Sequence, residues 1–399
     1  MFAALTAQHD DVRELARVVA LALEPKVIAA DKADRPAEGV AAALAEAGVL
    51  GLCLPRRFGG LGHDYLALGV LCEELEAVDA SLRVLVSVHL ALHALGIFQW
   101  GTPEQRERWL PDLARGTRLG MFGLTDSGAG SDPAGLDSTA RRDGDDYVLT
   151  GLKRWISLAG QADQILWIAR TGAARPSHEN LSAFILDVHS PGVTTGQITG
   201  KVGLRAMPTG WVRCDEVRIP ATDRLGQEGE GFKIAMACLD NGRYTVGAGA
   251  AGSIRAALAH SVAFAARREA FGRPIARQQL IQQKIAHMTR DLELARLAFL
   301  QVGWLKNAGR RNTRETSLLK WQATDAAFAA ADAALQIHGA DGYAGEQPIE
   351  RLWRNARVGS IYEGTNEIHQ LIQAGYALGE RGDAPVRCEL PAYDAAAWA

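Results

Sequence analysis

The chain has 399 residues, a formal charge of −3 and charged residues of both signs interspersed along its length. That length suits two or three domains around a sizeable shared core, and the charge pattern argues against a nucleic-acid or membrane surface as partner. Cys53, Cys72, Cys214, Cys238 and Cys388 are odd in number, scattered and free of any CxxC pair. Neither a disulfide framework nor a thiolate metal site is expected, and they read as reduced, mostly buried thiols. The N-terminus MFAALTAQHDDVRELA is acidic and helical in pattern, unlike a basic-then-apolar leader, and no uninterrupted apolar stretch reaches spanning length. A soluble cytoplasmic protein is the expectation.

From Asp10 to about Arg115, apolar and alanine-rich segments follow helical spacing, broken by Pro25, Pro36, the LPRRFGGLG loop and a GTPEQ start signal at Gly101 to Gln105. They predict an all-helical domain over residues 1–118. His89 and His93 stand one turn apart within it, a metal-ligand spacing, but without a third ligand or an HExxH motif they read as ordinary helix residues. Between about Leu119 and Gly226 come short β-prone runs such as DDYVLTG, ILWIART and SAFILDV, divided by Gly, Pro, Asp and Asn. A compact β domain over 119–228 follows. Helices return after GQEGEGF, where Ile281, Ile285, Met288, Leu292, Ala295, Phe299 and Val302 alternate spacings of four and three. That seam predicts a four-helix bundle over 229–380. GAGAAG, Gly247 to Gly252, satisfies a dinucleotide-loop template, but its flanks are helical in pattern, so close helix packing explains it better. The tail, 381–399, has little periodicity. The whole is α+β, mainly α.

Near the C-terminus, IYEGTNEIHQLI wedges Glu363 between an aromatic residue and Gly364, just before a helix. Thr365 suits the N-cap, and Asn366 and Glu367 the first turn. A carboxylate on such a turn is placed to serve as a base, although the same residues also describe a plain surface turn.

Five segments in order resemble the motifs of the acyl-CoA dehydrogenase family: LTDSGAGSD (Leu124 to Asp132), GLKRWISLAG (Gly151 to Gly160), RREAFGRPI (Arg267 to Ile275), ALQIHGADGY (Ala334 to Tyr343) and YEGT. The likeness reaches from about Glu73 to Gly379 and is closest in texture to the short-chain and glutaryl-CoA dehydrogenase-like members. It implies an N-terminal helical domain, a central β-barrel-like domain and a C-terminal four-helix bundle. It also implies FAD as cofactor, no metal, and α,β-dehydrogenation of a short acyl thioester. Glu363 is the implied base, and its backbone N–H an implied donor to the thioester oxygen. Such chemistry needs a positioned base, donors aimed at growing enolate charge, and exclusion of water, with flavin N5 accepting the hydride.

The resemblance assigns flavin contact to Leu124, Thr125, Trp155 and Ser157, and places Thr365 and Glu367 in the same set. Arg268, Phe271, Gln336 and Gly339 fall where the family holds the FAD of a neighbouring subunit, so a homo-oligomer, a tetramer in this family, is implied. Ser131, Asp240 and Arg243 fall near bound acyl-CoA, with Tyr362 and Gly364 beside the base. Departures are Asp126-Ser127 for Glu-Pro, Ser157 for threonine, Ala270 for a hydroxyl residue and Ala340 for glycine. Gly242 lacks the carboxylate that some branched-chain members use as an alternative base.

ELEAVDASLR resembles the segment in which glutaryl-CoA dehydrogenases carry an arginine for the distal carboxylate, with Arg83 and Glu76 matching by position and Val84 in place of serine. The alternative reading of Arg83 is an i,i+4 surface pair with Asp79. The expected electron acceptor is an electron-transfer flavoprotein. Competing readings are glutaryl-CoA-type oxidation with decarboxylation, oxidation of an acyl-carrier-protein thioester, an acyl-CoA oxidase or flavin monooxygenase, and a non-catalytic acyl-thioester-binding scaffold.

Overall fold

The structure is a computed structural model describing residues 5–172, 177–383 and 385–399. Its first third is helical: α1 (Ala7–Lys32), α2 (Val40–Glu46), α3 (Tyr65–Val78), α4 (Ala80–Val86), α5 (Leu95–Trp100) and α6 (Pro103–Arg115). Helix α1 buries Val12, Ala16, Ala20, Leu23 and Val27, an apolar stripe that packs on α3. GTPEQ starts α6 as its composition requires, with Thr102 and Gln105 closing a capping box.

Between α4 and α5 the chain continues as a π-helical stretch, Ser87–Ala94. The whole run Ala80–Trp100 is apolar and long enough to cross a membrane, with a mean hydropathy of 1.6, which qualifies the expectation that no stretch reaches that length. It is wholly buried, as a core helix of a folded domain is. His89 and His93 lie inside this run and are fully buried links to the sheet rather than ordinary helix residues. His89 donates from Nε2 to the Leu113 carbonyl (2.9 Å) and accepts at Nδ1 from the Gly120 amide (3.1 Å). His93 Nδ1 bonds the Met121 carbonyl at 3.0 Å. Burial lowers both imidazoles to about 4, so they are neutral.

An eight-stranded sheet follows: β1 (Gly120–Gly123), β2 (Thr139–Asp143), β3 (Asp146–Ser157), β4 (Gln164–Arg170), β5 (Leu181–Asp187), β6 (Val193–Gln197), β7 (Thr209–Pro220) and β8 (Arg224–Leu225). The strand order is β6-β7-β3-β2-β4-β5-β8, with β1 parallel beside β4. Against β7 the register of β3 slips twice, and the second slip falls at Trp155. Such bulges re-aim a side chain out of the ladder.

The remainder is a bundle of α7 (Gly231–Arg267), α8 (Gln279–Asn307), α9 (Thr313–His338) and α12 (Asn366–Leu378). A small hairpin, β9 (Glu269–Ala270) and β10 (Arg273–Pro274), and two short helices, α10 (Ala340–Tyr343) and α11 (Ile349–Arg357), connect them. Of the α8 seam, Met288, Leu292, Ala295, Phe299 and Val302 are buried, and Ile281 and Ile285 are partly so. GAGAAG lies inside α7, and its glycines admit neighbours at close range: a Cβ at Gly252 would collide with the Glu73 carbonyl, and one at Gly249 with the Glu76 carboxylate. The tail returns to the first helical layer. Its last helix, α13 (Ala395–Trp398), buries the Trp398 ring edge-on against Tyr65, Phe98 and Tyr393. Ala384, at the start of the tail, lies outside the described residues.

Candidate active site

The carboxylate singled out in the sequence sits on two consecutive left-handed residues, Glu363 at φ 55° and Gly364 at φ 93°. A non-glycine residue there costs about 1 kcal/mol or more, so surrounding contacts must enforce it. Thr365 caps α12 by accepting from the Ile368 amide (3.4 Å), which fixes the downstream side of the turn. Arg243 Nε on α7 donates to the Glu363 carbonyl (3.0 Å), and Lys320 Nζ on α9 to the Gly364 carbonyl (2.7 Å).

The Glu363 side chain turns into the interior. Oε1 accepts a long bond from Ser87 Oγ (3.4 Å), and the enclosed Oε2 meets no hydrogen-bond partner among the described residues. Gly242 makes that position possible, since a Cβ there would collide with Oε2 and also press on Leu92. Burial raises the carboxyl to about 7, against the opposing pull of Arg83, Arg243 and Lys320. A carboxylate poised near neutrality, with one free oxygen, suits proton abstraction.

Arg83 does not form the surface pair with Asp79 that i,i+4 spacing suggested. Asp79 breaks the helix between α3 and α4 with extended backbone, caps α4 by accepting from the Ser81 amide (2.8 Å), and pairs with Arg351. Arg83 is 1% exposed, and its Nε donates to Glu76 Oε2 (2.6 Å) while Nη2 donates to the Tyr362 hydroxyl. Ser253 Oγ holds the other Glu76 oxygen at 2.9 Å. Burial opposes the guanidinium charge, but Glu76 and then Tyr362 outweigh it, and burial pushes the Tyr362 phenol up to about 12. Arg83 Nη1 is buried and meets no hydrogen-bond partner among the described residues.

Asp240 is locked by Arg243 Nη1 (3.0 Å) and Thr313 Oγ1 (2.6 Å). It borders an open cleft with Asn241, Lys306, Arg310 and Arg311, and the tail lends Glu389 to its wall. Ser131 is exposed on the LTDSGAGSD loop.

At the second bulge of β3, Trp155 has φ 61° and is 59% exposed, not the core residue that a lone strand tryptophan would normally be. The neighbouring Arg154 amide bonds the Thr125 carbonyl (3.0 Å), which ties the Thr125 backbone to β3 next to Trp155, and half-buried Ser157 follows two residues on. An exposed flat ring fits a flavin ring system. Buried Lys153 supports the adjacent loop by donating to the Leu124 carbonyl (3.0 Å) and to Asp126 Oδ1 (2.5 Å), and Asp126 also accepts from the Asp137 and Ser138 amides. Asp126 thus ties the motif to β3 and β2 where the family often has glutamate.

Arg268, Phe271, Gln336 and Gly339 cluster elsewhere, at the end of the bundle where Phe264 of α7 meets His338 of α9 (centroids 4.3 Å). All four are exposed; Phe271, at φ 55° on the β9–β10 hairpin, is 94% so. Glu367 is exposed in the first turn of α12. Lys320, Ser87, Lys153 and the space at Gly242 were not singled out from sequence. A buried lysine on a helix carries no local signal that separates it from a solvated one.

Residues 6–117, 121–217 and 229–377 match the N-terminal, middle and C-terminal domains of acyl-CoA dehydrogenases. The short-chain specific mitochondrial acyl-CoA dehydrogenase of Bos taurus is 39% identical over 335 residues, 84% of this chain and 81% of that one. The structure of butyryl-CoA dehydrogenase from Megasphaera elsdenii superposes with a TM-score of 0.92 at 35% identity, covering 95% of this chain and 100% of that one. Glutaryl-CoA dehydrogenase from Mycobacterium smegmatis gives a TM-score of 0.89 at 37% identity, covering 96% and 97%.

Proposed function

The chain belongs to the acyl-CoA dehydrogenase family, and on that premise we propose that it desaturates a short acyl-CoA between its α and β carbons with Glu363 as the base. The observation that carries this reading is the Glu363 carboxyl itself: enclosed, with Oε2 unpartnered, on a turn held from two helices. FAD, when bound, supplies the hydride acceptor. Leu124, Thr125, Trp155 and Ser157 would hold its ring. Arg268, Phe271, Gln336 and Gly339 would meet the FAD of a neighbouring copy, with Thr365 and Glu367 at the α12 end.

The protein's own work is positional. With the thioester carbonyl toward the Glu363 amide, Glu363 Oε2 takes the α proton while Ser87 holds Oε1 and Arg243 holds the Glu363 backbone carbonyl. Asp240 and the basic cleft beside it receive the carrier portion, with Ser131 on the opposite loop. A division at residues 1–118, 119–228 and 229–380, tetrameric assembly, a cytoplasmic location and an electron-transfer flavoprotein as acceptor belong to the same reading.

A second reading of the substrate has its own support: the buried, unpartnered Nη1 of Arg83 favours an acyl chain ending in a carboxylate or another polar acceptor. Anaerobic mixing of the purified protein with a panel of acyl thioesters, monocarboxylic and dicarboxylic, tests both. Bound FAD bleaching with butyryl-CoA is the expected result, and bleaching with glutaryl-CoA in preference identifies the polar-ended class. Protein that neither retains nor binds added FAD contradicts the assignment.

A further inference from the structure

Two successive carbonyl oxygens of the Glu363–Gly364 turn are each held by a buried cation from a different bundle helix. Arg243 takes the first and Lys320 the second. The Lys320 side chain is fully buried, and its ammonium also reaches Asn366 Oδ1 (2.9 Å). Asn366 is in turn tied through Nδ2 to Asp325 (2.7 Å) and Thr324 (3.0 Å). His369 closes the same pocket, with Nδ1 against Ser317 Oγ (3.0 Å). Burial, Arg243 and Lys320 lower its imidazole to about 2, so it adds no charge.

A buried ammonium is costly unless its donors are hydrogen-bonded and its charge is compensated. Here one donor goes to the Gly364 carbonyl of the turn that carries Glu363, and another to the Asn366 side chain. Because a trans peptide sets its N–H opposite its C=O, holding both carbonyls toward α7 and α9 fixes the peptide planes on either side of Gly364, and with them the Gly364 and Thr365 amides. We infer that Lys320 is a positioning residue of the reaction: with Arg243 it clamps the left-handed Glu363–Gly364 turn and sets the orientation and ionisation of the carboxylate. This rests on Glu363 being the base.

The charged and titratable groups facing Glu363 are Arg83 from α4, Arg243 from α7 and Lys320 from α9, with Tyr362 beside it and Cys72 behind. Lys320 is itself lowered to about 7 by burial, with Glu363 pulling it back up. Each member of the pair therefore favours the charged form of the other. Removing the ammonium withdraws one of three charges that favour the Glu363 anion, so the carboxyl must move further up.

The test compares Lys320→Met, Lys320→Arg, Lys320→Gln and Glu363→Gln in FAD-loaded protein. With butyryl-CoA or the best thioester found, the acid limb of flavin reduction should move up by about one pH unit in Lys320→Met, with a reduction rate on the order of tenfold lower on the plateau. Lys320→Arg should return the limb toward wild type. Lys320→Gln, which keeps a donor without the charge, should show the same limb shift with a smaller rate loss, and stands in if Lys320→Met does not fold.

Stability against pH gives a readout independent of activity. Glu363 is raised in the folded state, so the folded protein holds the extra proton and stability falls as pH rises from about 4.5 through about 7. Glu363→Gln removes that fall. In the Lys320→Met background the fall should extend to higher pH. If Glu363→Gln still reduces the flavin, the base reading fails and this inference with it. If Glu363→Gln is inert but Lys320→Met keeps the wild-type limb, rate and stability profile, only the role of Lys320 is overturned.

Discussion

The two halves of the proposed site are built differently. Around Glu363 every cation is buried and paired within one chain: Arg83 with Glu76 and Tyr362, Arg243 with Asp240, Lys320 with Gly364 and Asn366. Around the proposed cofactor positions the same chain leaves Trp155 and Phe271 largely bare, together with Arg268, Gln336 and Gly339. The proton-abstracting half is thus preorganised by a single fold, whereas the cofactor half presents surfaces that a ligand and a second copy would cover. Preorganised charge suits the first task because nothing need rearrange when enolate charge develops. Exposed aromatic rings suit the second, where burial on binding supplies the affinity.

Breaking the preorganised half should have the larger effect. Gly242→Ala places a methyl group where Glu363 Oε2 lies. The fold is expected to persist with FAD bound while substrate-driven flavin reduction falls about 100-fold, as stopped-flow absorbance would show. A near-normal rate would mean that the carboxyl has another productive position.

The substrate end of that half is sharpened through Arg83. Deleting it alone would strand Glu76 as a buried, uncompensated carboxylate, so Arg83→Met is best combined with Glu76→Gln. The ratio of kcat/KM for glutaryl-CoA to that for butyryl-CoA should fall about tenfold. An unchanged ratio would leave the arginine as a structural ion only. Smallest should be Phe271→Ala in the exposed half: a several-fold weaker FAD affinity and assembly that dissociates at higher protein concentration, read by titration and sedimentation. A stable monomer with full FAD occupancy would contradict a site shared between copies.

Regular features were legible in the sequence because they depend on neighbours along the chain. The α8 seam, the GTPEQ start, the Thr365 cap and the helical nature of GAGAAG are all local patterns. Asp79 and Arg83 show where that logic fails, since i,i+4 pairing presumes an unbroken helix and Asp79 is where the helix breaks. Lys320 and Gly242 act on a turn that lies 43 and 121 residues away in sequence, and only packing brings them there. The bulge that turns Trp155 outward depends on the register of β3 against β7, which short-range pattern does not encode.

The most direct test of an enclosed, preorganised base is the rate of anaerobic flavin reduction by a short acyl-CoA measured from pH 5 to pH 9 in wild type and in Glu363→Gln. Burial holds the Glu363 carboxyl at about 7 and the anion is the active form, so the wild-type rate should rise with pH, be half-maximal at about 7 and level off roughly a unit above that. Glu363→Gln should bind FAD and thioester yet stay oxidised at every pH. A flat wild-type profile, or a Gln variant that bleaches at a comparable rate, would contradict the assignment of Glu363 as the base.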